Sequence, residues 1–119
     1  MAKQFIETHQ WMEVENGIAT IGISQYASDE LGGVTYVEMP EVGKVLKAGE
    51  SFGSIESTKA ANELFTPIAG TVVEIHTELE TNPELVNDDP EGNGWIIKLG
   101  SLGETATLLS EEEYRNKTK

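Results

Sequence analysis

The pair Asn16-Gly17 constrains the fold of this chain more than any other short segment does. It separates two apolar, β-forming runs, residues 11–15 and 18–23. Asn-Gly is strongly favoured in two-residue hairpin turns, because both turn positions require a positive φ. The sequence therefore predicts an antiparallel hairpin here. Ser24, which follows it directly, is placed to cap a short helix extending through Leu31.

Most of the remaining chain has the pattern of short strands separated by turns. Gly32-Gly33 is expected to end the first helix, and residues 47–50 have the composition of a turn. The predicted strands are 34–39, 51–57, 62–65, 71–76 and, as the last of them, 95–99. A single helical turn is predicted at 84–86, begun by Asn82-Pro83, and a polar loop follows it at 87–94. A C-terminal helix is predicted to begin at the capping box Ser110-x-x-Glu113. The fold class is therefore mostly β with short helices.

A short pattern, Pro-x-x-Gly, occurs twice in the strand-rich region. Pro40 to Gly43 and Pro67 to Gly70 match at an offset of 27 residues, and apolar residues follow both copies. Two similar strand–turn units that fold onto each other would form a flattened sandwich. The turn around Lys59, between the two copies, would then lie at an exposed end.

Lys59 is isolated from other basic residues. Between Ala48 and Ile97 it is the one lysine, and there is no arginine, whereas ten carboxylates lie in the same stretch. Its neighbours are small, in the order Ser57-Thr58-Lys59-Ala60-Ala61. A lone amine on such a turn is a candidate for covalent modification, although an ordinary solvated turn lysine has the same pattern.

Composition limits the classes of function. The formal net charge of −13 argues against nucleic acid and anionic membranes as partners, and favours a partner with a basic docking surface. The absence of cysteine excludes disulfides and thiolate metal sites. Residues 1–5 lack the pattern of a signal peptide or presequence, so a cytoplasmic location is expected. With 119 residues, the chain is predicted to form one domain, 1–119, and to be monomeric.

Several segments together resemble the H-protein family of the glycine cleavage system. The resemblance is carried by three longer segments, 37–43 (VEMPEVG), 52–60 (FGSIESTKA) and 67–74 (PIAGTVVE), and by shorter ones, His9-x-Trp11, Gly22-Ile23, 82–87 (NPELVN) and 94–98 (GWIIK). They keep the order and spacing of the family from about residue 9 to residue 98. The resemblance therefore covers nearly the whole chain.

This resemblance implies both a fold and a cofactor. The fold is a barrel-sandwich hybrid of two antiparallel sheets, with Lys59 at a hairpin tip that carries lipoate as an amide. Gly43 and Gly70, 16 residues before and 11 after Lys59, match glycines of lipoyl domains and suit tight turns. Glu56 matches an acidic position involved in recognition by lipoate-attaching enzymes. Biotin is not expected, because biotinyl domains carry the lysine between methionines.

The resemblance further implies a carrier without catalytic residues of its own. Its arm would receive the aminomethyl group of glycine from a pyridoxal-phosphate glycine decarboxylase (P protein). It would pass this group to a tetrahydrofolate-dependent aminomethyltransferase (T protein). Dihydrolipoyl dehydrogenase (L protein) would then reoxidise the dithiol. The protein would supply attachment, orientation and docking, while the cofactor supplies the chemistry.

The chain departs from the family pattern at several positions, of which Gln10 matters most. The family usually has His-Glu-Trp where this chain has His9-Gln10-Trp11. A neutral amide can hydrogen-bond a charged aminomethyl group but cannot neutralise it. Gln10 therefore keeps one alternative open, a divergent H-like carrier serving lipoate transfer or sulfur metabolism. A separate alternative is an interaction module that kept the fold without lipoate. No metal site is expected, because His9 and His76 are the only histidines and lack further ligands.

Overall fold

The computed structural model describes residues 3–118, so Met1, Ala2 and Lys119 of the predicted domain 1–119 lie outside it. The strands, in chain order, are β1 (Gln4–Phe5), β2 (Gln10–Glu15), β3 (Ile18–Ile23), β4 (Val34–Glu38), β5 (Val45–Leu46), β6 (Ser51–Ser57), β7 (Ala61–Phe65), β8 (Gly70–Ile75), β9 (Ile97–Gly100) and β10 (Leu109–Ser110). The helices are α1 (Gln25–Leu31), a 3-10 helix (Thr77–Glu80), α2 (Leu85–Asp88) and α3 (Glu111–Lys117).

The strands form two antiparallel sheets. The larger sheet has seven strands in the order β10-β1-β2-β3-β9-β8-β5, and the smaller has three in the order β4-β6-β7. Apolar side chains from both sheets form one core between them, for example Ile21 and Leu99 from the larger sheet and Ile55 and Leu64 from the smaller. The predicted fold class, a mostly β sandwich with short helices and a C-terminal helix, is confirmed.

The local signals around the first hairpin and helix are also confirmed. Asn16 and Gly17 both have positive φ, 54° and 78°, and β2 pairs with β3 on either side of them. The Ser24 side chain caps α1 by accepting a hydrogen bond from the Ala27 N–H at 3.1 Å. Gly32, at φ 74°, ends the helix because this conformation carries no steric penalty in glycine.

A second apolar cluster attaches the C-terminal helix α3 to the start of the chain. Phe5 stacks on Tyr114, with ring centroids 4.3 Å apart, and both rings are buried together with Trp11. The predicted capping box is present, since the Ser110 and Glu113 side chains each bond the other residue's backbone N–H. Both ends of the described chain are therefore packed on the sandwich.

Some predicted boundaries were wrong. The strand predicted at 95–99 is β9, Ile97–Gly100, and it is not the last, because β10 follows it. The helical turn predicted at 84–86 is α2, Leu85–Asp88, and its cap position is Glu84 rather than Asn82. The sequence patterns also did not predict β1, β5, β10 or the 3-10 helix. β1, β5 and β10 have two residues each and depend on strands distant in sequence, and the 3-10 helix has only four residues.

Candidate functional site

Lys59 lies at the apex of the tight turn that joins β6 to β7. The turn is closed by a backbone hydrogen bond from the Ser57 N–H to the Ala60 carbonyl at 2.8 Å. The Ser57 hydroxyl accepts hydrogen bonds from the backbone N–H groups of Lys59 (3.2 Å) and Ala60 (3.1 Å). Because a serine hydroxyl can satisfy turn N–H groups in this way, the backbone at Lys59 is held without help from the lysine side chain.

The turn rests on the C-terminal end of α1. The Thr58 N–H donates to the Gly33 carbonyl at 3.1 Å. The aliphatic part of the Lys59 side chain crosses Gly32, where an added Cβ would lie 3.3 Å from Lys59 Cε. Gly32 therefore forms a shallow cradle for the stem of Lys59. A larger residue there would displace that side chain.

Asn87 in α2 fixes the segment that supports this cradle. Its side-chain amide donates to the Gly32 carbonyl at 2.6 Å, and its side-chain oxygen accepts from the Val34 N–H at 2.8 Å. One side chain thus bonds both sides of the turn between α1 and β4. The sequence patterns placed Asn87 only in a polar loop, because its partners are more than fifty positions away.

The Lys59 ammonium group is open to solvent. Lys59 is exposed, as are Thr58 and Ala60 on either side of it. None of the ion pairs among residues 3–118 includes Lys59. A second molecule can therefore reach Nζ without breaking a charge pair in this part of the chain.

A cavity of about 510 Å³ adjoins the turn. It lies between α1, the segment leading into β2, and the edge strand β7, and Ala60 beside Lys59 is part of its wall. Apolar side chains such as Leu31 and Leu64 line it together with Gln10 and the carboxylates of Glu30 and Glu63. This size and mixed lining suit a small-molecule group with an apolar body and a polar end.

Gln10 is a buried part of the cavity wall. Its side chain and backbone are only 3% exposed, and its side-chain oxygen accepts a hydrogen bond from the Thr8 hydroxyl. The position where the family usually has an acid is thus occupied by a neutral amide that is already bonded to a neighbour.

Hydrogen bonds connect the wall of this cavity to the C-terminal helix α3. The buried Tyr114 hydroxyl lies 2.6 Å from His9 Nδ1 and 2.6 Å from Ser24 Oγ, the cap of α1. His9 lines the cavity and has a positive φ of 77°. Burial lowers the pKa of the His9 imidazole below 6.5, and the nearby Glu30 carboxylate offsets part of that effect.

The pKa of His9 predicts a pH-dependent contribution to stability. The pKa of His9 is lower in the folded protein than in the unfolded chain. As the pH falls, the unfolded chain therefore binds this proton more readily, and the free energy of unfolding decreases below about pH 6.5. His9→Asn, which tolerates the positive φ, removes this titration. We expect the wild-type free energy of unfolding, relative to His9→Asn, to decrease between pH 7.5 and 5.5 in urea titrations. A constant difference across that range would contradict the assignment.

The structure separates the other predicted site residues into two places. Glu56 is exposed on β6, three residues before Lys59 on the same hairpin. Gly43 and Gly70 lie instead in the larger sheet, where Gly43 precedes the edge strand β5, has φ 98° and donates its N–H to the Val72 carbonyl at 2.7 Å. Gly70 begins β8, and a Cβ there would lie 2.8 Å from the Gly100 carbonyl. The expectation of a tight turn therefore holds for Gly43 but not for Gly70, which permits close strand packing.

The remaining aromatic and ionisable candidates have structural contacts. His76 stacks on Trp95, with ring centroids 4.3 Å apart, and its Nδ1 lies 2.6 Å from the Trp95 carbonyl. The buried Trp11 donates its indole N–H to the Pro90 carbonyl at 2.9 Å. Within residues 3–118, no group of three or more His, Asp or Glu side chains is arranged to hold a metal ion.

Comparisons with known proteins agree with this geometry. The family model described as "Glycine cleavage H-protein" matches residues 3–119. The chain belongs to the glycine cleavage H-protein family. A glycine cleavage system H protein from Thermotoga maritima is 45% identical over 115 residues, covering 95% of this chain and 93% of the relative. Another, from Rubrobacter xylanophilus, is 49% identical over 110 residues, covering 92% of this chain and 86% of the relative.

The fold comparison leads to the same family. The crystal structure of a glycine cleavage system H protein from Mycobacterium marinum superposes with a TM-score of 0.92 at 31% identity, covering 98% of this chain and 95% of the other. The predicted family and its role as the lipoyl carrier of glycine cleavage are thereby confirmed. None of the helices in the described range has the length and apolar character that crossing a membrane requires.

Proposed function

We propose that Lys59 is the lipoyl attachment residue and that the protein carries the aminomethyl group of glycine on this arm. The observation that carries the proposal is the exposed Lys59 side chain at the apex of a two-strand turn, free of ion pairs within residues 3–118. Membership of the H-protein family supports it.

The residues around Lys59 fit a lipoyl group. The Gly32 cradle has room for the lysine stem, and the adjoining cavity has apolar surface for an alkyl chain. When bound, the dithiolane supplies a disulfide, which accepts an aminomethyl carbanion equivalent at one sulfur and a proton at the other as the S–S bond breaks. We infer that the chain itself contributes attachment, orientation and partial shielding from water.

The attachment reaction requires that the Lys59 nitrogen be accessible and uncharged. Its uncharged nitrogen forms a bond to the acyl carbon of an activated lipoate, such as the adenylate. The bond from that carbon to AMP breaks, AMP takes the bonding electron pair, and the nitrogen releases one proton. The ordered turn backbone presents the amine at a fixed place. A lipoate-attaching enzyme can therefore select this lysine by position.

We propose that this chain is a carrier and not an enzyme. The Nδ1 atoms of both histidines are engaged, His9 with Tyr114 and His76 with the Trp95 carbonyl. The chemistry would belong to its partners, which are the glycine decarboxylase, the aminomethyltransferase, dihydrolipoyl dehydrogenase and lipoate-attaching enzymes. We propose that it acts together with these enzymes in the cytoplasm. A monomer consisting of one lipoyl-carrier domain fits transfer among several enzymes.

The proposal is tested by attachment followed by reconstitution. Unmodified protein is incubated with lipoate, ATP and lipoate ligase, and peptide mass mapping should then find one lipoyl adduct, on Lys59. The lipoylated protein, mixed with the three partner enzymes, glycine, tetrahydrofolate and NAD, should produce NADH in proportion to the lipoylated fraction. An adduct on another lysine, or no adduct, would contradict the attachment site.

Gln10 motivates one alternative, a divergent carrier that serves lipoate transfer or sulfur metabolism. A buried, neutral Gln10 in the cavity wall cannot neutralise an ammonium group on the loaded arm. The same reconstitution separates the two functions. Efficient lipoylation with NADH production at the rate of a known H protein rejects the alternative, whereas lipoylation without glycine turnover supports it.

A further inference from the structure

The outward face of the smaller sheet carries an exposed aromatic residue, Tyr36, opposite the position three residues before Lys59. Tyr36, Glu56 and Ala61 are directly opposite one another on β4, β6 and β7, and all three are exposed. We call these three residues the Tyr36 row. Directly opposite residues of adjacent strands project from the same face of a sheet, so the Tyr36 ring and the Glu56 carboxylate are neighbours.

Neither side chain of this pair is used within the described structure. Tyr36 is 52% exposed, and its ring is in no stacked, edge-on or cation contact among residues 3–118. The Glu56 carboxylate is absent from the ion pairs and side-chain hydrogen bonds of the same residues. The hydrogen bond that the Thr35 hydroxyl donates, at 3.3 Å, goes to the backbone carbonyl of Glu56 and not to its carboxylate. An aromatic face and a free carboxylate are thus both available to a partner.

Such a pair is complementary to a guanidinium group. Arginine stacks its planar group on an aromatic face, and its fork of N–H donors matches a carboxylate. Lysine lacks both the plane and the fork. The charge of the chain agrees, because a net charge of −13 favours a partner whose docking surface is basic.

The distance from Lys59 indicates which partner must cover this row. Glu56 is three residues before Lys59, at most roughly 10 Å along the chain because the turn begins after Ser57, and Tyr36 is on the neighbouring strand, about 4.8 Å to the side of Glu56. An enzyme that acylates Nζ must bring its reactive carbon within bonding distance of the lysine itself. The enzymes that act on the completed arm work instead at its far end, so they can stand further away.

We propose that the Tyr36 row is the docking point for an arginine of the enzyme that attaches lipoate, with the guanidinium stacked on Tyr36 and paired with Glu56. This inference rests on the proposed attachment at Lys59 and adds Tyr36 to the acidic position that the family resemblance had indicated. Tyr36 is a positioning residue, because it does not touch the reacting atoms.

The test compares rates of lipoyl transfer by lipoate ligase to unmodified carrier variants. Tyr36→Thr keeps a good strand former while removing the ring, and we expect kcat/KM for the carrier to fall roughly 10-fold. Tyr36→Phe keeps the ring face and should stay within about twofold. Val45→Thr is the matched control, since Val45 is a 71% exposed strand residue on the other sheet and should have no effect.

A double variant distinguishes one shared guanidinium from two separate contacts. Glu56→Gln alone should also reduce kcat/KM, but Tyr36→Thr combined with Glu56→Gln should lose less than the product of the two single losses. Tyr36→Leu, with a similar apolar area and no aromatic face, serves as a second variant that should behave like Tyr36→Thr.

Three results would overturn the inference while leaving the proposed function intact. The first is that wild-type protein is lipoylated on Lys59 and Tyr36→Thr reacts at the same rate. The second is that Tyr36→Leu has full activity. The third is that the loss in kcat/KM of the double variant equals the product of the losses of Tyr36→Thr and Glu56→Gln. A wild-type protein that is not lipoylated at all would instead reject the proposed attachment site on which the inference rests.

Discussion

Lys59→Arg should reduce glycine turnover in the reconstituted system to the level measured without any carrier. Arginine keeps the positive charge and the length of the side chain, but its guanidinium cannot give up a proton in proteins. It therefore cannot form the amide that holds the arm, and every step that needs the arm is lost together. The measurement is NADH production with the decarboxylase, aminomethyltransferase and dehydrogenase present, together with the intact mass after exposure to lipoate ligase.

Lys44→Arg is the matched control for this variant. Lys44 is also an exposed lysine, in the segment before β5, and its replacement should leave both lipoylation and turnover unchanged. Both variants should melt at the wild-type temperature, since neither lysine is in an ion pair among residues 3–118. Turnover by Lys59→Arg above the carrier-free level would show that another residue carries the group.

The elements that the sequence predicted are those whose cause lies within a few residues. Asn16-Gly17 determines its hairpin through its own φ angles, and Ser110 and Glu113 bond each other across one helical turn. β6 was predicted at its observed bounds, Ser51–Ser57, because Phe52 and Ile55 are good strand formers and a turn with a local serine hydrogen bond follows them.

The missed elements depend on pairing between distant parts of the chain. β1 and β10 have two residues each, and they exist because Gln4 and Phe5 pair with Ser110 and Leu109. β5 likewise consists of Val45 and Leu46 paired to β8. A run of two residues has no period to detect, so no sequence pattern predicts it.

The candidate site also has one part that could be predicted from the sequence and another that could not. The isolation and small neighbours of Lys59 could be recognised in the sequence, and the structure agrees that the turn is exposed. The surroundings could not be predicted. Asn87 bonds the Gly32 carbonyl across 55 positions, and Tyr114 bonds His9 across 105. Asparagine and tyrosine in these places have ordinary sequence neighbours, so only the fold reveals what they support.

Gly53→Ala should cost about 3 kcal/mol of folding free energy, a large share of what a domain of this size has. Gly53 lies in β6 where β4 ends, and an added Cβ would be 2.0 Å from the Glu38 carbonyl oxygen and 3.1 Å from its carbon. Because the clashing atoms belong to the backbone, no side-chain rotation relieves the contact. β4 must move away from β6, and the pairing of Glu38 with Ser54 is lost with it.

Urea titration and thermal melting measure this effect, with a decrease in melting temperature of about 10 °C expected. Gly33→Ala is the control, because the nearest atom to its added Cβ is the Thr58 methyl at 4.0 Å, which is ordinary contact. That variant should stay within about 0.5 kcal/mol of wild type. Since β6 leads directly into the Lys59 turn, Gly53→Ala should also slow lipoylation. If Gly53→Ala has wild-type stability, the prediction is wrong, because β4 and β6 can then separate without cost.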